Sequence, residues 1–349
     1  MTFQNLISRR HFASAFALAG SALVLPQLQA QSKPEKPRVV IAVDSKHAFS
    51  YLPLTIADQL GYFKAEGLDV QISDFGDTVG VSLAMLSGTA DVCSGAFDRT
   101  LLMQAKNQTF KAFVLQARAP QLAFGVSTRS VPTYAAIADL KGKKLGVPAL
   151  DSTASVMVHL LLRRSGVSPQ DVSFVAVGSS VSAVSAMRSG QIDALCNTDP
   201  VMTLLEQKGD VKIISETRTL RGTTELFGGA MPSSCLYAPS DFVQKNPNTC
   251  QALTHAIVHS LKWLQTAGPG DIIKTVPDSY LLGDRALYLA SFNKIRESIS
   301  IDGLMPEDGP ATALNALLRF DPALRLVRID LSKTYTNEFV KRAKVRFRT

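Results

Sequence analysis

The sequence predicts an α/β protein of two similar lobes. Each lobe is a mostly parallel sheet with flanking helices, and a cleft lies between them. Three observations carry this. Strand-like and helix-like segments alternate at the spacing of βαβ units. Residues 69–91 recur as residues 171–193. Beyond about residue 231 the pattern turns mainly helical, as if the chain returned to the first lobe. The 349 residues, 46% of them hydrophobic and 19% charged, can bury sizeable cores, and the apolar fraction is too high for disorder. Four Cys in this length exclude a disulfide scaffold, and no apolar run of about 18 residues exists to span a membrane.

The elements follow in order. Residues 1–30 read as a cleaved export signal: Arg9 and Arg10, an apolar stretch from Ala13 to Leu25, Pro26, then a small-residue site ending at Ala30. The run Ser8-Arg9-Arg10-His11-Phe12 has the layout of a twin-arginine signal. No Cys near the cleavage site offers a lipid anchor. Residues 31–125 are expected to form lobe one. Its strands are Arg38–Val43, Val70–Ser73 and the segment from Asp91, and its helices are Leu52–Leu60 and Val79–Leu86, closed by Gly61 and Gly88. Residues 126–230 are expected to form lobe two, with strands at Lys144–Val147 and Val172–Val177 and a helix from Ser152 to Arg164. Residues 231–349 return to lobe one and add C-terminal helices. Asn246-Pro247 opens a long helix with Leu253, Ile257, Leu261 and Leu264 on one stripe. The chain ends on a basic tail that includes Lys341, Arg342, Lys344, Arg346 and Arg348. Crossings near 120–135 and 225–240 would make a two-strand hinge.

The repeat is specific. Nine positions are identical, among them Gly76/Gly178, Ala84/Ala186, Met85/Met187, Gly88/Gly190 and Asp91/Asp193. A left-handed helix cap accounts for Gly88 and Gly190. It leaves the Gly76/Gly178 and Asp91/Asp193 pairs unexplained.

Several segments carry a resemblance in their order and spacing. They are Leu52-Pro53-Leu54 with Ile56-Ala57, Gly61-Tyr62-Phe63, and Glu66-Gly67-Leu68-Asp69-Val70. Leu86-Ser87-Gly88 with Ala90-Asp91-Val92 follows, then Asp139 to Val147 (DLKGKKLGV), Ser189 to Ala194 (SGQIDA) and Asp199-Pro200. Together they resemble the solute-binding proteins of nitrate/sulfonate/taurine-type ABC transporters. The resemblance covers most of the chain after the signal and is looser in the C-terminal helices. It implies the two-lobed type II periplasmic-binding fold, closing by its hinge on a small organic anion or zwitterion. It also implies delivery to an inner-membrane permease and its ATPase, with no catalysis, metal or cofactor.

In open α/β sheets ligands sit beyond the carboxyl ends of the strands, which here begin at Asp44, Phe75 and Ser94 in lobe one and at Asp151, Gly178 and Asn197 in lobe two. The candidate ligand residues are therefore Ser45, Lys46, His47, Gly76, Asp77, Ser94 and Gly95 in lobe one, with Tyr51 at the first helix. In lobe two they are Ser152, Thr153, Thr198 and Asp199. Short polar groups and free helix N-termini there suit a carboxylate or sulfonate. Ser152 and Thr153 serve equally as plain helix caps. Lys46 and His47 depart from the small neutral residues usual in that loop. They either pair with an anion or form a solvated pair. Asp77, Asp151 and Asp199 suit helix caps or a ligand amine, which keeps a zwitterion open.

Catalytic signatures are missing from the sequence: no CxxC, GxSxG, GxGxxG or phosphate-binding GxxxxGK[ST]. His255 and His259 lie four apart, but position 256 is Ala and no third ligand suggests itself. His159 reads as packed in its helix. Cys235 and Cys250 are the candidate disulfide after export. The formal charge of +8 does not point to nucleic acid in an exported chain, and a monomer is expected. Two rivals remain: an exported ligand sensor, or an enzyme on the same fold acting on a pyrimidine-like molecule. The pyrimidine-precursor synthases carry a Cys-rich segment that this chain lacks.

Overall fold

The computed structural model describes residues 33–281 and 283–347. The export signal expected over residues 1–30 and Arg348 of the basic tail lie outside the described residues. The first strands and helices are β1 (Arg38–Val43), α1 (Leu52–Gln59), α2 (Tyr62–Ala65), β2 (Asp69–Asp74), α3 (Thr78–Ser87), β3 (Val92–Ala96), α4 (Asp98–Ala105) and β4 (Phe110–Leu115). Then come β5 (Leu122–Ser127), β6 (Lys144–Val147), α5 (Thr153–Arg164), β7 (Ser173–Ala176), α6 (Val181–Ser189), β8 (Ala194–Thr198), α7 (Val201–Gln207), β9 (Val211–Glu216) and α8 (Leu220–Phe227). The chain returns through β10 (Ser234–Pro239), α9 (Ser240–Lys245), α10 (Pro247–Thr266), α11 (Pro269–Thr275), α12 (Arg285–Ile295), α13 (Gly309–Phe320) and α14 (Glu338–Phe347).

Among the described residues ten strands make two five-stranded sheets, in the orders β2-β1-β3-β10-β4 and β7-β6-β8-β5-β9. The sheets have the same plan. In each, three strands run parallel and one strand that has just crossed from the other sheet, β10 or β5, pairs antiparallel on both sides. The chain leaves the first sheet between Leu115 and Leu122 and returns between Glu216 and Ser234. All of β5 therefore lies in the second sheet, and the first crossing precedes residue 125 rather than following it. The crossings run side by side: the Gln121 amide donates to the Thr217 carbonyl and the Ser233 amide to the Ala117 carbonyl.

The repeated residues now have a physical reason. Gly88 and Gly190 end α3 and α6 with φ of 73° and 77°, the left-handed conformation a Cβ resists. Gly76 and Gly178 turn the ends of β2 and β7 with φ of 76° and 72°. Asp91 accepts from the Val40 amide at 3.0 Å while its own amide donates to the Val40 carbonyl. Asp193 does the same with Lys144, at 2.9 Å. Each carboxylate pins the start of a central strand to its neighbour.

Both faces of the first sheet are buried, which is why β1 reads as an unbroken apolar run. Val39, Ile41 and Val43 pack with Leu253, Ile257 and Leu261 of the α10 stripe. Ala42 faces the other way, among Met85, Phe97 and Leu101. The four cysteines are buried and free. Cys235 lies in the cluster on one face of this sheet and Cys250 in the cluster on the other, which overturns the expected Cys235–Cys250 bridge. The C-terminal segment does not serve lobe one alone. Helix α12 packs on α7, and α13 packs on α5 and α8 as well as α4.

Gly222, in the first turn of α8, is tightly held. A Cβ there would stand 2.2 Å from the Glu216 carbonyl oxygen. Gly222→Ala is expected to destabilise the protein by about 1–3 kcal/mol through overpacking. Gly270, in α11, has open space around a Cβ, so Gly270→Ala is expected to be neutral or stabilising by about 0.5–1 kcal/mol. Thermal unfolding of the two variants checks the contrast, and equal shifts would contradict it.

Candidate functional site

A cavity of about 90 Å³ lies where the carboxyl ends of β1 and β3 meet the start of α5. Lobe one supplies Asp44, Tyr51, Ser94, Arg99 and Tyr237 to its wall, and lobe two supplies Ser152 and Thr153. Asp44 ends β1, and the Tyr51 hydroxyl donates to its Oδ1 at 2.7 Å. Burial pushes the Asp44 carboxyl above the usual range, against the pull of the Tyr51 hydrogen bond and the Arg99 charge. Ser94 accepts from Gln116 Nε2 at 2.8 Å. At Gly95 a Cβ would come within 2.9 Å of the Cys93 sulfur, so any larger residue would force the Cys93 side chain to shift. Burial pushes the Cys93 thiol up to about 12.

Contacts across the cleft join the two lobes. Arg99, in the first turn of α4, donates from Nη1 to the Asp151 carboxylate and from Nη2 to the Asp151 carbonyl, both at 2.7 Å. Thr153 donates to Asp98 Oδ2 at 2.7 Å, and Thr78 to Asp151 Oδ1 at 3.4 Å. Burial alone would raise the Asp151 carboxyl, but the Arg99 hydrogen bond and charge outweigh it and hold the group below its ordinary value.

Among the residues singled out from the sequence, Tyr51, Ser94, Gly95, Ser152 and Thr153 border this cavity. Ser152 is also the cap of α5, accepting from the Ser155 amide at 3.3 Å. The others are placed elsewhere. Ser45 accepts the Ala48 amide in a turn. The Lys46 amide donates to Asp74, and His47 is exposed and packs its ring on Tyr280. The Gly76 amide donates to Asp74, and Asp77 caps α3 through the Gly80 amide at 2.7 Å. The Thr198 amide donates to Asn197, whose Nδ2 in turn donates to the Gly178 carbonyl. Asp199 is buried, accepts from the Thr203 amide and faces Arg218 at 3.5 Å.

Asp44 opens a strand end that the sequence placed at the gap between the lobes, whereas Arg99 and Tyr237 were not among the singled-out residues. Arg99 lies in a helix whose first turn holds two charged residues, a weak signal. Tyr237 enters from β10, some 140 positions after β3, and nothing local marks it. A wider groove of about 770 Å³ lies near the second crossing. Its charges already pair, Arg218 with Glu216 and Lys294 with Glu206. Among the described residues no group of three or more His, Cys, Asp or Glu side chains is placed to hold a metal ion, and no helix is long and apolar enough to cross a membrane.

A solved structure from Bordetella bronchiseptica RB50 is 51% identical, with a TM-score of 0.87 over 91% of this chain and 100% of that one. The alkanesulfonate-binding protein SsuA from Xanthomonas axonopodis pv. citri bound to MOPS shares the fold at 17% identity, with a TM-score of 0.68 over 87% and 99% of the chains. The putative binding protein YtlA of Bacillus subtilis is 22% identical across 84% of this chain and 86% of its own. A 4-amino-5-hydroxymethyl-2-methylpyrimidine phosphate synthase of Uromyces fabae is 25% identical across 84% and 85%. The model of the NMT1/THI5-like proteins matches residues 48–267. That match runs from just before α1 to the end of α10, more than half of the chain, and takes in every cavity residue named above except Asp44, so the chain belongs to the NMT1/THI5-like family.

Proposed function

We propose that this protein is the substrate-binding component of an ABC importer. It is exported to the periplasm by its N-terminal signal and acts as a monomer. It captures a small organic anion or zwitterion by hinge closure and delivers it to the permease. One observation carries this reading: a small cavity walled by both lobes, beside the paired crossings of the chain. A solute touching both walls stabilises their approach by its differential affinity, which is the physical content of capture by closure. The volume of about 90 Å³ fits a small solute. Affinity in the micromolar range needs only about −8 kcal/mol.

The synthase relative favours a second reading, an enzyme. The cavity chemistry opposes it. Cys93 is the thiol that lines the cavity, and burial keeps it protonated at neutral pH, where only the thiolate is a nucleophile. The test is a thermal-shift screen of residues 31–349 against several hundred small solutes, with each hit recovered and analysed by NMR. A saturating ligand is expected to raise Tm by a few degrees and to be recovered unchanged. Consumption of the hit would replace binding with catalysis.

A further inference from the structure

The cavity wall carries more information about its ligand than its position does. We infer that the ligand bears a protonated or N–H-bearing nitrogen that seats on Asp44. This rests on the binding reading and narrows it to zwitterions and amines, setting aside simple oxyanions.

Two observations lead there. The first is charge. Asp44, Asp98 and Asp151 all act on a single guanidinium, that of Arg99. Arg99 spends two of its donors on Asp151. Asp98 is 4% exposed, and its Oδ1 has no hydrogen-bond partner. Three carboxylates around one cation favour a cationic group as the next arrival, because like charges in a low-dielectric site repel strongly.

The second is the direction of the hydroxyl protons. Tyr51 donates to Asp44, Thr78 to Asp151, Thr153 to Asp98, Ser82 to the Thr78 carbonyl and Ser152 to the Ala149 carbonyl. Each of these lining hydroxyls has committed its proton to the protein and keeps only lone pairs for a ligand. These five hydroxyls around a carboxylate are the complement of a donor, while the Ser94 hydroxyl, which accepts from Gln116 and keeps its proton, and the remaining Arg99 donors are left for an anionic end. A nitrate or a plain alkanesulfonate brings only acceptors and would leave such groups unsatisfied, at a cost comparable to a lost hydrogen bond for each. A zwitterion meets both needs: its nitrogen faces Asp44, and its anionic end takes the remaining Arg99 donors. Burial has already raised the Asp44 carboxyl, so a cation arriving there draws it back to the ionised form. Binding is then expected to strengthen as pH rises through that raised value and to level off above it.

The experiment divides the screened solutes by the presence of an N–H donor. It includes the matched pairs taurine with ethanesulfonate and β-alanine with propionate, and nitrate alone. Stabilising solutes are expected to carry an N–H donor. Asp44→Asn is expected to lose at least about thirtyfold of their affinity by calorimetry while keeping a native Tm. Tyr51→Phe, which spares the carboxylate, is expected to retain binding within about tenfold. Stabilisation of the wild type by ethanesulfonate, propionate or nitrate at least as strongly as by their nitrogen-bearing partners would overturn the inference and leave the binding reading intact. Unchanged affinity of a nitrogen-bearing ligand in Asp44→Asn would overturn it too. A folded wild type that no solute stabilises would instead sink the binding reading, and the inference with it.

Discussion

Arg218→Met is expected to destabilise the protein by roughly 3–5 kcal/mol, the usual consequence of removing one partner from a buried ion pair. The Arg218 side chain is 3% exposed and that of Asp199 is 0% exposed. Arg218 stands 3.5 Å from Asp199 Oδ2 and also pairs with Glu216 and Glu206, which are about a third exposed and rehydrate without it. Asp199 cannot rehydrate. Its carboxyl is already raised by burial, and the Arg218 charge is the first of the influences that oppose the rise. The sign with pH follows. A carboxyl with a folded-state pKa above its unfolded value binds more protons in the native state, so stability falls as pH climbs from the unfolded to the folded value. Losing Arg218 widens that window upward. The variant is therefore expected to lose least at mildly acidic pH and most at alkaline pH. Asp199→Asn combined with Arg218→Met is expected to recover part of the loss and remove its pH dependence. Urea unfolding at pH 5 and pH 8 reads both. A loss under about 1 kcal/mol at pH 8 would mean that water screens the cluster.

The fate of Asp199 shows what the sequence could and could not disclose. Strand ends were legible because apolar runs stop at Gly, Ser and Asp: Asp44, Gly76 and Gly178 lie just past β1, β2 and β7, although Ser94, Gly95, Asn197 and Thr198 still belong to β3 and β8. Which ends face the cavity was not legible. That depends on how far each loop reaches across the cleft, a tertiary property with no local pattern. Asp44 and Ser94 face it. Asn197 to Asp199 close on one another and on Arg218 instead. The repeat was legible as identity, but its cause was not. Asp91 and Asp193 recur because each takes a backbone N–H of the adjacent central strand, a pairing between residues some fifty positions apart. The mixed character of the sheets was also hidden. Strands β5 and β10 are apolar like their neighbours, and nothing in their composition announces an antiparallel direction. Direction follows from the crossings, because a strand that arrives from the other lobe enters its sheet from the hinge side.

The crossings also decide what holds the lobes together, and here two substitutions at one ion pair are expected to behave differently. Arg99 and Asp151 share a bond of 2.7 Å, yet the Arg99 side chain is 12% exposed and that of Asp151 is 57% exposed. Asp151→Ala removes a partner that is largely in water. Arg99 then keeps its bond to the residue 151 carbonyl and its attraction to Asp98. The expected loss is below about 1 kcal/mol, as for exposed pairs. Arg99→Met removes the cation itself. It leaves Asp98 buried with an unpartnered oxygen and Asp44 without its nearby positive charge. That loss is expected to be roughly 3 kcal/mol. The lobes should respond in the same order. Small-angle scattering is expected to show a larger radius of gyration for Arg99→Met than for Asp151→Ala, with the wild type the most compact. The asymmetry arises because Arg99 faces three carboxylates and Asp151 only one guanidinium, so its loss unbalances the whole interface rather than one bond. Equal unfolding losses and equal radii in the two variants would reduce the junction to the single Arg99–Asp151 contact. They would also remove the charge excess on which a nitrogen-bearing ligand depends.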